Sequence, residues 1–240
     1  MKAMKSLILC FVLLCGAAVL GAQVPEWEWA VDTGGIGGGG AWSVAIDSQG
    51  NLYVTGQFGN TTTFGSHTLT ANGYGDIFVA KLDPSGNWLW AVNAGGNRED
   101  LGYGIAVDDA GNACVTGYFK DTATFGSHTL TASGNTDIFV AKIDPSGNWL
   151  MAVKAGGTSF CVGLGIVVDD AGNAYVTGRF EGTATFGSHN LTSDGDRDIF
   201  AAKLDPSGNW LWAVKGIVGE DLDVHILEGV DIVVDGVGNA

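Results

Sequence analysis

The chain has 240 residues and a formal net charge of -15, with 39 glycines, 4 prolines and 46% hydrophobic residues. This composition excludes a collagen-like or disordered acidic chain, and the charge argues against a nucleic-acid binder, which needs clustered Lys and Arg. It predicts a soluble, glycine-punctuated, aromatic-rich β protein.

The N-terminal segment, over positions 1–22, has the layout of a secretory signal peptide. Lys2 and Lys5 form a basic start, an apolar run follows over residues 7–20, and small residues end at Gly21 and Ala22. The run is shorter than the roughly 20 residues of a membrane-spanning helix. We therefore expect cleavage after Gly21 or Ala22, secretion, and no membrane insertion of the mature chain. An uncleaved anchor is the alternative.

A long sequence repeat organises the rest of the chain. Thr-Phe-Gly-Ser-His begins at positions 63, 124 and 185, and residues 63–92 match residues 124–153 at 25 of 30 positions. Repeats of this kind fold alike and stack. We expect one β-propeller repeat region over residues 23–240, with repeats of about 27–87, 88–148 and 149–209 and a partial repeat over 210–240.

Each repeat predicts four short strands. In the second repeat these cover residues 104–108, 113–119, 137–143 and 149–153, which are rich in β-branched and aromatic residues. A small additional strand is expected around residues 124–130. No window beyond the signal shows a helical period.

The motif Asp-x-x-Gly-Asn occurs seven times and predicts hairpin turns. The Asp side chain can accept hydrogen bonds from later backbone amides, and the Gly takes the left-handed conformation that ends the turn. Calcium binding is the alternative, but a calcium loop needs several converging carboxylates and each turn offers mostly one. The motifs begin at Asp47, Asp83, Asp108, Asp144, Asp169, Asp205 and Asp235.

Four antiparallel strands per repeat are typical of propeller blades, which bury their faces against each other. Residues 104–118 and 165–179 share Gly-Ile-x-Val-Asp-Asp-Ala-Gly-Asn-Ala-x-Val-Thr-Gly. They resemble the SBBP-type bacterial β-propeller repeat. The resemblance implies a propeller in a secreted bacterial protein and implies no activity, because that family is defined by its blades.

The predicted ring is incomplete. The fourth-strand pattern of residues 88–96 occurs already at 27–35, three cycles follow, and the last repeat ends at a hairpin turn. We expect about three complete four-stranded blades with partial blades at both ends. The expectation is that the chain is the N-terminal part of a longer extracellular or cell-surface protein, with closure by oligomerisation as the alternative.

Several side-chain series could serve a ligand or the fold. A Trp-x-Trp stripe and a Phe series could be sugar-stacking platforms, but we interpret them as packing between blades. Three equivalent histidines could bind zinc, yet equivalent positions on separate blades lie too far apart for one ion. The stripe is Trp27, Trp29, Trp88, Trp90, Trp149, Met151, Trp210 and Trp212; the other series are Phe64, Phe125, Phe186 and His67, His128, His189.

Two further groups vary between the repeats. Asp194-Gly-Asp-Arg-Asp198 offers three carboxylates, which we interpret as a solvated acidic loop rather than a calcium site. Cys114 is expected at a half-buried strand position and Cys161 in a loop opposite Asp100. An oxidising compartment permits a disulfide between them, but two unpaired thiols are preferred.

No catalytic motif is present. Residues that the repeats do not share are scattered and form no nucleophile–base group or phosphate loop, so we expect no enzyme activity, no cofactor and no metal. The unshared residues are Arg98, Glu99, Asp100, Lys120, Arg179, Glu181, Arg197 and His225.

The predicted function is therefore a non-catalytic structural or interaction module with an unknown protein or glycan partner at the cell surface. Partners would be chosen by the loops before Gly104 and Gly165 and by residues 72–75, 133–136 and 193–197, because loops on a rigid scaffold carry recognition. The alternatives are a carbohydrate-binding propeller and a propeller hydrolase whose site needs further blades.

Overall fold

The computed structural model describes residues 28–216, and this part of the chain is all-β without a helix. None of it could cross a membrane as a helix. The strands are β1 (Gly34–Gly35), β2 (Gly39–Ile46), β3 (Leu52–Phe58), β4 (Thr61–Phe64), β5 (His67–Thr70), β6 (Asp76–Leu82), β7 (Trp88–Gly96), β8 (Leu101–Val107), β9 (Ala113–Phe119), β10 (Thr122–Phe125), β11 (His128–Thr131), β12 (Asp137–Ile143), β13 (Trp149–Gly157), β14 (Cys161–Val168), β15 (Ala174–Phe180), β16 (Thr183–Phe186), β17 (His189–Thr192), β18 (Asp198–Leu204) and β19 (Trp210–Gly216).

Three four-stranded antiparallel blades follow one another. Blade 1 has the order β2-β3-β6-β7, blade 2 has β8-β9-β12-β13, and blade 3 has β14-β15-β18-β19. The all-β class, the repeated blades and the open arrangement are confirmed. The sequence repeats that begin at Trp88, Trp149 and Trp210 each start with the fourth strand of the preceding blade, so repeat and blade are out of phase by one strand.

Every repeat also carries a two-stranded hairpin between the second and third blade strands. One small strand was expected around residues 124–130; the structure has two, β10 and β11, with Gly126 at a φ of 58° in the turn between them. β10 pairs with the end of β7, where Ala123 lies opposite Gly96. The hairpin therefore adds backbone hydrogen bonds between neighbouring blades.

Two strands of the second repeat have the predicted bounds, residues 113–119 and 137–143. The other two are longer than predicted. β8 begins at Leu101 and β13 continues to Gly157. These extensions are glycine-rich and are held by backbone pairing with other strands, so no side-chain pattern marks them.

The apolar core lies between the blades. Tyr53 and Val79 of blade 1 belong to one buried cluster with Val115 and Phe139 of blade 2. A second cluster joins blades 2 and 3 in the same way. Each blade supplies one wall of a core and depends on its neighbour for the other, because a lone sheet leaves one face in water.

The first strands β2, β8 and β14 lie side by side on the inner side of the arc. Each contains a bulge at the same place, and the bulged residues are Trp42, Tyr103 and Leu164. A bulge leaves one residue without a partner and re-aims its side chain. The three residues occupy equivalent positions in successive repeats. No sequence motif predicted the bulges.

Candidate functional site

The two ends of the blades differ in character. One end, here called the turn rim, carries the six Asp-x-x-Gly-Asn turns that begin at residues 47, 83, 108, 144, 169 and 205. The opposite end, the loop rim, carries the connections at residues 71–75, 97–100, 120–121, 132–136, 158–160, 181–182 and 193–197. Antiparallel strand order places these two sets at opposite ends of each blade.

The turn rim is built as the sequence predicted. In the turn beginning at Asp83, Oδ1 accepts hydrogen bonds from the backbone N–H groups of Ser85 and Asn87, and Oδ2 accepts one from Asn87 Nδ2. Gly86 has a φ of 82°. The Asn87 side chain, followed by the backbone amides, holds the pKa of Asp83 below its ordinary value. These carboxylates serve the turns themselves.

The loop rim gathers segments that are far apart in sequence. The first junction lies between blades 1 and 2. There Gly75 and Glu99 form an isolated parallel β-bridge, and the Asp100 N–H donates to the Gly75 carbonyl at 2.9 Å. The second junction lies between blades 2 and 3. There Thr136 and Phe160 form an isolated parallel β-bridge, and the Cys161 N–H donates to the Thr136 carbonyl at 3.1 Å. Four of the five loops predicted to choose partners therefore lie together in two pairs, and the partner segment of residues 193–197 lies outside the described residues.

The surface of the first junction is polar and charged around one exposed ring. Tyr74 is 81% exposed. Arg98 Nε donates to Asp121 Oδ2 at 2.8 Å, and Lys120 Nζ lies 3.0 Å from Glu99 Oε2. The hydrogen bond from Lys120 is the main cause that lowers the pKa of Glu99.

The surface of the second junction has a different composition. Phe160 is exposed where the first junction has Glu99, at the equivalent position of the preceding repeat. Arg197 Nε donates to Glu181 Oε1 at 2.7 Å, and Ser159 Oγ donates to the other oxygen of that carboxylate at 3.0 Å. The two junctions share a backbone but present different chemistry.

Two buried carboxyl groups lie beneath the first junction. Asp76 Oδ2 accepts hydrogen bonds from the Asn72 backbone and from Asn93 Nδ2, and Asp76 Oδ1 has no hydrogen-bond partner among the described residues. Asp100 accepts from the backbone N–H groups of Gly96 and Lys120. Burial raises the pKa of Asp76 above its ordinary value and raises that of Asp100 to about 7.

The inner side of the arc forms a groove of about 690 Å³ between the three first strands. Trp42 and Tyr103, both bulge residues, meet edge to face with centroids 5.7 Å apart. Of the side chains that the structure describes, no charged one lines this groove. The residues that line this groove differ between the repeats, as those of the loop rim do. The described lining of the groove has no charged side chain, whereas the loop rim carries several ion pairs.

The tryptophan stripe is a packing element, as interpreted. Trp90 Nε1 donates to the Pro145 carbonyl in the adjoining blade at 2.9 Å, and Trp29 makes the equivalent bond to Pro84. Trp88 packs edge to face on the buried Phe64 of the preceding repeat. Phe125 and its equivalents are likewise buried, so these rings are not exposed platforms.

The histidines lie apart, one on each hairpin. His67, His128 and His189 each begin the second hairpin strand and pair with a phenylalanine. Within residues 28–216 no three His, Cys, Asp or Glu side chains come together as a metal ion would need. The position of His225 lies outside the described residues, as do residues 1–27, Asp235 and the rest of the last repeat.

The acidic run in blade 3 is exposed at Asp194 and Asp196, as expected of a solvated loop, but Asp198 is buried. Asp198 is 2% exposed, and its Oδ2 accepts the Asp194 N–H at 2.9 Å. Asp194 pairs with Lys215 Nζ at 2.6 Å, while Asp196 is exposed. Asp198 is buried because it closes its loop, as Asp137 and Asp76 do one and two repeats earlier. The sequence could have indicated this burial, because an Asp stands at the same place before the apolar strand in all three repeats.

Cys114 and Cys161, the cysteines within residues 28–216, are unpaired and buried. Cys114 is 3% exposed, deeper than the half-buried position expected, and Cys161 begins β14 rather than lying in a loop. Burial raises the pKa of Cys114 to about 11 and of Cys161 to about 12. Both thiols are therefore structural.

Comparison with known proteins supports a propeller-type repeat. No family model matches the chain. It is 29% identical over 207 residues to an uncharacterized WD repeat-containing protein of Acanthamoeba polyphaga mimivirus, in a match that covers 76% of this chain. The chain spans only 15% of that protein's length. The finer SBBP-type assignment stays a prediction.

One solved structure shares general similarity with the chain. It is a protein of unknown function from Bacteroides caccae, 12% identical, with a match that covers 75% of this chain and 82% of that one and a TM-score of 0.27. A score this low supports no argument about fold or function.

Proposed function

We propose that the chain is a secreted, non-catalytic interaction module of the SBBP type that recognises a protein or glycan partner through its loop rim. The observation that carries the proposal is the contrast between the two rims. All six turns of the turn rim keep Asp-x-x-Gly-Asn, and three of them are identical as Asp-Pro-Ser-Gly-Asn. The loop rim instead reads Asn-Gly-Tyr-Gly, Ser-Gly-Asn-Thr and Asp-Gly-Asp-Arg at residues 72–75, 133–136 and 194–197.

Variation on a rigid scaffold favours recognition because substitutions there change the surface without changing the fold. The exposed Tyr74 ring beside the Arg98–Asp121 pair combines an apolar face with planar hydrogen-bonding groups. Aromatic and Arg side chains of this kind dominate binding energy at protein interfaces. The buried Asp76 and Asp100, by contrast, have no surface from which to act on a substrate.

Carbohydrate binding is the second candidate, and the loop rim supports it better than the tryptophans do. A sugar would stack on Tyr74 and bond to Arg98 and Asp121. Trp88 and Trp90 are committed to Phe64 and Pro145.

Arrays of oligosaccharides and of extracellular-protein peptides test both candidates. The loop-rim variant Y74S/R98S/F160S/R197S is compared with the turn-rim control S85A/S146A/S207A. We expect any ligand of the wild type to bind the control equally and to lose at least tenfold in affinity for the loop-rim variant, about 1.4 kcal/mol. Ligands that need only the turn rim, or turnover of any arrayed compound, would contradict the proposal.

A further inference from the structure

The buried pair Asp76 and Asp100 holds the loops of the first junction. Asp76 Oδ2 accepts hydrogen bonds from the Asn72 backbone and side chain and so closes the loop over residues 72–75. Asp100 Oδ2 accepts from the Gly96 N–H at 2.8 Å, and its Oδ1 accepts from the Lys120 N–H at 2.9 Å. Three loop-rim segments are therefore tied to two carboxyl groups.

These two carboxyl groups both lie next to Gly95. A Cβ atom on Gly95 would lie 2.7 Å from Asp76 Oδ1 and 2.9 Å from Asp100 Oδ2. Both residues are fully buried. Two ionised carboxylates so close in a buried site repel each other strongly, and one of them then keeps its proton.

The charges around the pair do not neutralise it directly. Lys120 Nζ is bonded to Glu99, and Arg98 is bonded to Asp121. Tyr118 donates its hydroxyl to Glu99 at 3.1 Å. The remaining partners, Asn72 and Asn93, are uncharged.

The second junction shows what the first one lacks. There Lys154 occupies the position of Asn93 and bonds Asp137 Oδ2 at 2.9 Å, while Asp137 Oδ1, like Asp76 Oδ1, has no hydrogen-bond partner among the described residues, so the junctions differ in charge. Cys161 occupies the position of Asp100, and the Glu181 N–H there donates to the Phe160 carbonyl at 2.8 Å, whereas the equivalent Lys120 N–H donates to Asp100 Oδ1. Within the described residues, the second junction thus has one carboxylate with one lysine, whereas the first has two carboxyl groups and no lysine bonded to either.

We infer that Asp76 and Asp100 hold one proton between them near neutral pH and that this proton fastens the first junction of the loop rim. Within the described residues the buried Asp76 Oδ1 has no hydrogen-bond partner, and a proton held by Asp100 would give it a donor. The proton removes one negative charge from the pair, whereas at the second junction the ion pair with Lys154 neutralises Asp137. Loss of the proton leaves two adjacent negative charges and loosens the loops around Tyr74.

The sign of the pH dependence follows from proton binding. Burial raises the pKa of Asp100 to about 7, above its value in the unfolded chain. This contribution to stability is therefore fully present below the unfolded pKa of about 3.8 and is lost as the pH rises from there through the folded pKa of about 7. The consequence for recognition rests on the proposed function, but the protonation itself does not.

Carboxyl ¹³C NMR of the full chain, from pH 4 to pH 9, measures the pair without any ligand. We expect one Asp carboxyl to titrate between about pH 6 and 8 and that titration to be absent in D100N, whereas Asp83, Asp144 and Asp205 titrate below the ordinary Asp value of about 4. Amide exchange of Gly96 and Lys120, corrected for intrinsic rates, should be about tenfold faster at pH 8.5 than at pH 6. An Asp76 and Asp100 that both titrate below pH 5 would overturn the inference.

Two variants borrowed from the second junction provide matched controls. N93K introduces the lysine, and D100C introduces the thiol, each at a position where the same backbone already accommodates that side chain. We expect the wild-type Tm to fall by about 3 °C or more between pH 6 and pH 8.5, the Tm of D100C to stay flat, and the fall in N93K to be smaller than in the wild type, because N93K neutralises Asp76 but leaves Asp100 buried. A wild-type Tm that responds to added Ca²⁺ instead of pH would identify a cation site and overturn the inference.

Discussion

Tyr53 and Trp90 meet edge to face, with ring centroids 5.9 Å apart, on the side of blade 1 that faces blade 2. Tyr175 and Trp212 form the same pair in blade 3 at 6.1 Å. In blade 2 both rings are replaced, by Cys114 and Met151. The lysine that bonds the tyrosine hydroxyl in blade 1, Lys81, also has a counterpart there, which bonds Asp108 directly at 2.9 Å.

This paired exchange predicts coupling between the two positions. W90M removes the ring contact with Tyr53 and the hydrogen bond to Pro145, so we expect a loss of about 1–3 kcal/mol in the free energy of unfolding. The double variant Y53C/W90M, which copies blade 2, should cost less than the sum of the single variants. Urea unfolding measures each step. L89A, at the exposed neighbouring position, is the control; additive costs would contradict the coupling.

The turn-rim aspartates predict acid sensitivity. Hydrogen bonds from the Asn side chain lower the pKa of Asp83, Asp144 and Asp205 in the folded chain. Their contribution is present above the unfolded pKa of about 3.8 and is lost as the pH falls through the lower folded value. The Tm should therefore drop between pH 4 and pH 2.5.

The triple variant D83N/D144N/D205N tests that assignment. Asn keeps an oxygen that accepts the turn amides but does not titrate, so circular-dichroism melts should show a shallower fall in Tm below pH 4. D109A, adjacent to the turn Asp108, controls for loss of an acidic side chain. An unchanged slope in the triple variant would mean that other groups govern acid unfolding.

Gly95 is predicted to tolerate no side chain. It has a φ of 152°, and a Cβ there would clash with the Asp76 and Asp100 carboxyl groups. We expect G95A to cost about 3 kcal/mol or more in denaturant unfolding. G195A, where a Cβ would meet nothing within 4 Å, should change stability by less than about 0.5 kcal/mol. Equal effects would show that crowding at Gly95 is relieved by local movement.

The buried thiols are predicted to resist alkylation. Burial raises the pKa of Cys114 to about 11 and of Cys161 to about 12, so almost no thiolate exists at pH 8. A chain beginning at residue 23 should take up no iodoacetamide when native and two equivalents when unfolded in urea, as counted by mass spectrometry. Rapid labelling of the native chain would contradict the burial of both side chains.

Much of the fold is written in the local sequence. The regular step between repeats, the Asp-x-x-Gly-Asn turns and the β-branched runs predicted four-stranded blades and placed β9 and β12 to the residue. These features can be predicted from the sequence because turn chemistry and strand periodicity depend on residues that are close in the chain. The packing of Trp90 against the next blade also followed, since a sheet alone cannot bury both faces.

Only the tertiary structure brought the loops together and revealed the pair at the first junction. Asp76 appears in the sequence as one more strand-starting Asp, and Asp100 as one of several scattered unshared residues. Their meeting depends on cross-strand pairing through Gly95 and Gly96, which have no side chain to signal it. The burial of the two carboxyl groups and the repulsion between them depend on how far apart they lie. For residues on different blades, only the folded backbone sets that distance.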